Sequence, residues 1–155
     1  MGPCLRLTRV VALTGALALI GAFFMPWFSS QGLLLSGQFL HAFLGGASAA
    51  DLRRFLPSAS PGELQLLRVL VDLFPVCGAI GAAAALLGGI FVSLRLVSNV
   101  ILGASGLVPL LAWAGGITQL PAGAASEIGL WLIALGSLAI LIGLLADLRL
   151  FSRSV

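Results

Sequence analysis

Four long apolar stretches dominate the pattern of hydrophobic and polar positions along this chain. They cover residues 7–25, 73–92, 96–114 and 128–148, and charged residues occur within them only near the ends. A helix needs about 20 apolar residues to cross a hydrocarbon core about 30 Å thick. The pattern therefore predicts an all-α integral membrane protein in which residues 1–155 form one domain, a four-helix transmembrane bundle.

The composition agrees with this pattern. Of 155 residues, 60% are hydrophobic and only 8% are charged, and the mean hydropathy is +1.18. An ordinary soluble domain has about 25% charged residues, so this chain has too little polar material to cover a globule in water. The few charges form no basic patch with interleaved aromatic residues, which argues against nucleic-acid binding.

The placement of arginine predicts which way the spans are oriented. All eight basic residues are Arg, and arginines next to short loops stay on the cytoplasmic side. In a four-span arrangement, one side of the membrane has the arginines beside span one, between spans two and three, and after span four. The turn 115–127 lies on the opposite side and has no basic residue. We therefore expect both termini in the cytoplasm. Arginine without lysine is typical of a GC-rich bacterial genome, so we expect a multi-pass protein of the bacterial cytoplasmic (inner) membrane. The arginines on the cytoplasmic side are Arg6, Arg9, Arg95, Arg149 and Arg153.

The first apolar stretch resembles a signal peptide, because Arg6 and Arg9 precede it. No small-x-small cleavage site follows, and the stretch ends at Pro26 and Trp27. We expect it to remain as the first span.

The larger first extracytoplasmic loop, about 26–60, is unusually apolar, notably at 33–35 and 39–44. Such a segment lies in the membrane interface, packs on the helix ends or is covered by a partner. Residues 27–38 fit a strand or irregular structure, and 39–44 fit a short interfacial helix. Ser48 and Asp51 have capping-box spacing and predict a second short helix at 49–56, ended by Pro57.

The second span is predicted to begin outside the membrane. Ser60, Pro61 and Glu63 have the spacing of an N-cap, first helical residue and third helical residue. A helix from there to about Ser93 is roughly 50 Å long, which exceeds the bilayer core. Residues 61–72 should therefore extend the helix into the external space, with a kink at Pro75.

Few residues in the chain offer chemistry. His41, the single histidine, is a candidate axial ligand for haem or chlorophyll, against the alternative of a hydrogen-bonded interfacial side chain. No nucleophile with a base, no metal-ligand group and no phosphate loop is present, so no catalytic residue, metal site or cofactor is predicted. Contact with lipid or pigment stays open.

Several polar and aromatic residues are predicted to make structural contacts. Arg68 and Asp72 are spaced for an ion pair within one helix. Asp147 and Arg149 are expected as interfacial anchors, and Asn99 is expected to form an interhelical hydrogen bond.

The tryptophans fall at span ends, where indole rings anchor in the interface; they are Trp27, Trp113 and Trp131. Small residues four apart, such as Gly78 with Ala82, predict close helix packing. The candidates for contact with a partner are Trp27, Phe39, Phe43, Arg68 and Asp72.

These features favour a non-catalytic accessory or scaffolding subunit of a larger bacterial membrane complex, with energy-transducing or photosynthetic complexes as candidate hosts. Its partners would be other integral membrane subunits and lipids. The alternative is a small transporter or channel working as an oligomer. A membrane enzyme acting on lipid or quinone is disfavoured because the usual catalytic groups are missing.

Overall fold

The computed structural model describes residues 7–30, 33–46, 61–118 and 125–152. In chain order the described elements are α1 Leu7–Phe24, β1 Pro26–Ser30, β2 Leu33–Ser36, α2 Gly37–Gly46, α3 Pro61–Ile90, a 3₁₀ turn Val92–Leu94, α4 Arg95–Ile117, β3 Ala125–Ser126 and α5 Ile128–Ser152. The predicted helix at 49–56 and the Ser60 cap lie outside the described residues. The helix that the cap was predicted to start does begin at Pro61.

Four helices, α1, α3, α4 and α5, are each long and apolar enough to cross a membrane. The chain is therefore a multi-pass helical membrane protein, as the hydrophobic pattern predicts. Several span ends differ from that pattern by one to four residues; α4, for example, ends at Ile117 and not at residue 114. The second span ends at Ile90 and not at residue 92, and the last helix continues past residue 148 to Ser152.

The bundle is closed by contacts of α1 with α3 and α5, while α4 packs against α3 and α5. Glycine allows the closest approaches. A Cβ at Gly15 would lie 2.5 Å from the Gly136 carbonyl oxygen, and one at Gly78 would lie 2.8 Å from the Ala16 carbonyl oxygen. Because no real Cβ fits at such distances, these positions need glycine, and backbone and small side chains fill the space between the helices.

The helix α3 is longer than its neighbours and projects beyond them at one end. Gly88 lies beside Arg9, and Gly78 lies beside Ala16 and Ile20, so α1 and α3 are antiparallel and nearly in one-to-one register. This register places the last residue of α1 level with about residue 73 of α3. The residues of α3 from 61 to 72 therefore continue roughly 18 Å past the end of α1.

A small sheet covers this end of the bundle, which we call the loop end; the opposite end, where α1 begins and α5 ends, is the terminal end. The three strands are antiparallel in the order β2-β1-β3. The Glu127 backbone N–H also donates to the Trp27 carbonyl, 2.8 Å away. The sheet is a small addition to the all-α bundle, and β1 and β2 fall almost wholly within residues 27–38, where the sequence allowed a strand. Backbone N–H and C=O groups beyond a helix end need other hydrogen-bond partners. The three short strands provide these partners for one another.

Candidate functional site

Arg9 is buried inside the bundle at its terminal end, with 2% of its surface exposed. Sequence analysis treats it as a residue that merely flanks the first span. Its side chain instead crosses toward α3 and α4, where the missing side chain of Gly88 leaves room; a Cβ there would lie 2.9 Å from Arg9 Nη1. Arg9 therefore brings a permanent positive charge between the helices, because a guanidinium does not lose its proton in a protein.

The carboxylate that faces Arg9 belongs to Asp147 on α5, which is 1% exposed. Arg9 Nη2 donates to Asp147 Oδ2 over 2.9 Å. Arg95 donates twice to the same carboxylate, from Nη2 to Oδ1 over 2.6 Å and from Nε to Oδ2 over 3.1 Å. Thr8 Oγ1 donates to Oδ1 over 3.3 Å. The prediction that Asp147 is an interfacial anchor is therefore wrong, since its carboxylate is enclosed and joined to three side chains.

Two polar residues of α4 complete the contacts of Arg9. Ser98 Oγ accepts from Arg9 Nη1 over 2.8 Å and donates to the Ala84 carbonyl over 2.6 Å. Asn99 Oδ1 accepts from Arg9 Nη2, which is the interhelical hydrogen bond expected of Asn99. We call Arg9, Arg95, Ser98, Asn99 and Asp147 the arginine cluster; its bonds join α1, α3, α4 and α5.

The arginine cluster has two positive charges and one negative charge. Charged side chains within a membrane are costly unless they are paired, and removing one partner of a buried pair leaves the other charge uncompensated. Arg9 Nε is buried without a hydrogen-bond partner. The groups that are present bind one another, and their common effect is to fix four helices at one end of the bundle.

A helical-face analysis would have found the burial of this cluster. Arg9 lies on the same face of α1 as Ala12 and Ala16, which are fully buried. Asp147 lies three residues after Leu144 and seven after Ile140, both on the buried face of α5. Spacings of three, four and seven place residues on one helix face, so both charges point toward the interior. Hydropathy along the chain does not contain this information.

At the loop end, Trp27 is a packing residue. It is 5% exposed, its Nε1 donates to the Ala22 carbonyl over 2.7 Å, and its ring meets Phe74 edge-to-face at 5.2 Å. Sequence analysis places Trp27 at the membrane interface and among the partner contacts. Trp27 belongs to β1, and its burial against α1, α2 and α3 leaves it unavailable to lipid or a partner. Trp131, by contrast, is 49% exposed and lies 5.8 Å from the ring of Trp113.

His41 on α2 pairs with Asp72 on α3. The Nδ1 to Oδ1 distance is 2.6 Å, and the two side chains are 49% and 42% exposed. The hydrogen-bonding partner of Asp72 is thus His41, and the predicted pair of Asp72 with Arg68 is not formed. Arg68 is exposed nearby, with its Nη2 facing Gly45. Because the contacts of His41 with Asp72 and of Gly45 with Arg68 run in opposite chain directions, α2 lies antiparallel beside the outer part of α3.

The geometry of His41 bears on its predicted role as an axial ligand. Its Nδ1 is bound to a carboxylate, an arrangement that commonly orients a ligating histidine and leaves Nε2 for the metal. Among the described residues, no group of three His, Cys, Asp or Glu side chains is placed to hold a metal ion. Exposed ion pairs contribute about 0–1 kcal/mol to stability. The pair is therefore understood as a link between α2 and α3, and ligation by His41 stays a prediction.

Phe39 and Phe43 stack on α2, with ring centroids 6.1 Å apart and planes inclined by 7°. Phe43 is partly buried against the core, whereas Phe39 is 51% exposed. Leu33 and Leu34 of the preceding strand are exposed by 67% and 64%. We call Leu33, Leu34 and Phe39 the loop-end apolar surface.

Comparisons of the chain with protein-family models, with curated proteins and with solved structures found no match.

Proposed function

We propose that this chain is a non-catalytic accessory or scaffolding subunit of a larger complex in the bacterial cytoplasmic membrane, with both termini in the cytoplasm. The observation that carries the proposal is the loop-end apolar surface. Leu33, Leu34 and Phe39 are exposed on the part of the chain that follows the end of α1, beside the projecting end of α3. Exposed apolar patches outside the lipid mark sites of contact with other molecules.

The loop-end apolar surface is held in place by contacts with the rest of the molecule. β2 is paired with β1, and α2 is linked to α3 through His41 and Asp72. Trp27 packs beneath Gly37, the first residue of α2. A surface held in place before binding loses less conformational entropy when a partner docks. This supports a contact with another integral membrane subunit at the loop end.

The outward face of α4 supports the same proposal. Only 22% of its apolar span is buried inside the bundle, against 50% for α5. Val97, Val100 and Leu111 are among its exposed side chains. Such a helix contacts lipid or the helices of neighbouring subunits, and both belong to the proposed set of partners.

The close approach of the helices favours a structural role over the alternative of a small transporter. A transport path needs polar space between helices, whereas Gly15 with Gly136 and Gly78 with Ala16 bring backbones together there. The buried charges of the arginine cluster are bound to one another at the terminal end. Their hydrogen bonds join α1, α4 and α5.

The arginines support the proposed orientation. Arg9, Arg95 and Arg149 all belong to the terminal end, where the positive-inside rule favours the cytoplasm. A reporter that is active only in the cytoplasm, fused after residue 155, should be active. A reporter inserted in the loop 47–60 should be inactive, and activity there would reverse the orientation.

The subunit proposal is tested by extraction from native membranes in a mild detergent, followed by native electrophoresis and mass spectrometry of the band. Comigration with other membrane proteins at fixed stoichiometry is the expected result. Migration as a lone or self-associated particle would overturn the proposal. An absorbance spectrum of the same band tests whether haem or pigment accompanies the chain, as the prediction for His41 requires.

A matched pair of variants locates the contact. Phe39→Ser is expected to reduce comigration, because it removes an apolar ring from the loop-end surface. Phe91→Ser is the control, since Phe91 is 50% exposed, almost the same as Phe39, but lies at the opposite end of α3. Equal behaviour of the two variants would exclude the loop-end apolar surface as the docking site, even if the chain is a subunit.

A further inference from the structure

The turn between α3 and α4 is apolar and exposed, although it lies at an end of the bundle. Residues 91–97 contain five apolar side chains and a single charged one, that of Arg95. Val92 and Leu96 are 79% and 78% exposed, more than Leu111 on the outward face of α4, which is 63% exposed. Turns that face water are usually polar, so the apolar surface of this turn needs another explanation.

Three backbone N–H groups of the turn are hydrogen-bonded within the chain. The Phe91 N–H donates to the Leu87 carbonyl over 2.8 Å, and the Leu94 N–H donates to the Phe91 carbonyl over 3.1 Å. The Arg95 N–H donates to the Val92 carbonyl. Backbone groups that are surrounded by lipid must be hydrogen-bonded internally, and these three groups meet that condition.

The charged residue of the turn points into the bundle. Arg95 is 13% exposed, and its Nε and Nη2 donate to the Asp147 carboxylate. An arginine at the end of a membrane span commonly extends its guanidinium toward water. Because Arg95 instead turns inward, the outward surface of the turn is formed mainly by apolar side chains.

The length of α4 sets the level of the turn in the membrane. Trp131 is half-exposed at the loop end, where an indole ring favours the membrane interface, and the Trp113 ring lies 5.8 Å from it. Leu96 and Trp113 both belong to α4, and the helix rises roughly 26 Å between them. The hydrocarbon core is about 30 Å thick, so Leu96 stops short of the headgroups of the opposite leaflet.

We propose that residues 91–96 are inserted in the lipid leaflet at the terminal end, on the acyl-chain side of the phosphates. The partner of this surface is lipid, and not water or a second protein. The outward faces of the membrane-crossing helices α3 and α4 reach the turn through Ile90 and Val97, which are both exposed. The lipid-contacting surface of the two helices therefore continues over the turn that joins them. The inference does not depend on the proposed subunit role, which concerns contacts at the loop end.

The test is site-directed spin labelling of the purified full chain in vesicles of phosphatidylglycerol and phosphatidylethanolamine. Single labels are attached at Val92→Cys and at Leu96→Cys in a background that carries Cys4→Ser and Cys77→Ala. Collision rates of each label are measured with oxygen, which concentrates in lipid, and with a nickel chelate, which stays in water. Collisions with oxygen should dominate at both positions.

Two further labelled positions calibrate the measurement. Leu111→Cys should show the same dominance of oxygen, because it lies on the outward face of α4. Gln65→Cys should show the reverse, since this residue is exposed on the part of α3 that projects beyond α1. Dominance of the nickel chelate at residues 92 and 96 would place the turn in water and overturn the proposal. Low collision rates with both reagents would also overturn it, because protein would then cover the turn.

Discussion

Replacing Asp147 with asparagine removes the one negative charge of the arginine cluster while keeping the shape of the side chain. In the wild type this carboxylate accepts one hydrogen bond from Arg9, two from Arg95 and one from Thr8. The variant removes the negative charge that both arginines contact, and Arg9, which is 2% exposed, loses its ion-pair partner. Breaking a buried ion pair by removing one partner costs about 3–5 kcal/mol. We therefore expect the free energy of unfolding to fall by about that amount.

The effect is measurable as a shift in thermal unfolding. For a chain of 155 residues, each kcal/mol corresponds to about 2–4 °C in Tm, so the Asp147→Asn variant should unfold about 6–20 °C below the wild type. The assay is intrinsic tryptophan fluorescence during heating of the purified protein in one detergent. Asp72→Asn is the matched control, because its pair with His41 is 42–49% exposed and should contribute about 0–1 kcal/mol.

A double variant tests the charge argument itself. Arg9→Gln with Asp147→Asn removes one charge of each sign, so the cluster keeps the net charge of the wild type. If the loss in Asp147→Asn comes from uncompensated charge, the double variant should lose less than the sum of the two single variants, by about 0.5–3 kcal/mol. Strict additivity, or a loss below 1 kcal/mol in Asp147→Asn, would refute the description of Asp147 as the buried partner of both arginines.

Two further predictions concern helix packing and the loop end. Gly15→Ala should lower the free energy of unfolding by about 1–3 kcal/mol, because its Cβ would meet the Gly136 carbonyl oxygen; thermal unfolding measures this, and Gly21→Ala is the control, since nothing lies within 4 Å of its Cβ. An equal loss in both variants would contradict the close approach. Trp27→Phe removes the hydrogen bond to the Ala22 carbonyl and should cost about 1 kcal/mol in the same assay, whereas no change would show that this bond is dispensable.

The sequence alone determined the class of the protein and its four membrane-crossing helices. Hydropathy sums the free energy of transferring side chains from water to lipid over about 20 residues. That free energy depends on the local composition and not on which other helices the segment contacts. The start of α3 at Pro61 was also predictable, from the turn chemistry at that point in the chain. The helical tendency of 39–44 was also visible, since α2 covers Gly37–Gly46.

Only the tertiary structure decided which polar groups meet. Arg9, Arg95 and Asp147 are separated by 52 to 138 positions in the chain, so no local spacing indicates that one carboxylate receives both arginines. Asp72 similarly has Arg68 four residues away, yet it pairs with His41, 31 positions distant. Likewise, Trp27 has the sequence context of an interfacial anchor, but Gly37 and Phe74 lie against its ring and it is buried. Residues near a span end are either solvated or buried according to the rotation and register of the helices. The rotation and register of the helices are fixed by close contacts between helices at glycine residues, so the sequence of a single helix does not determine them.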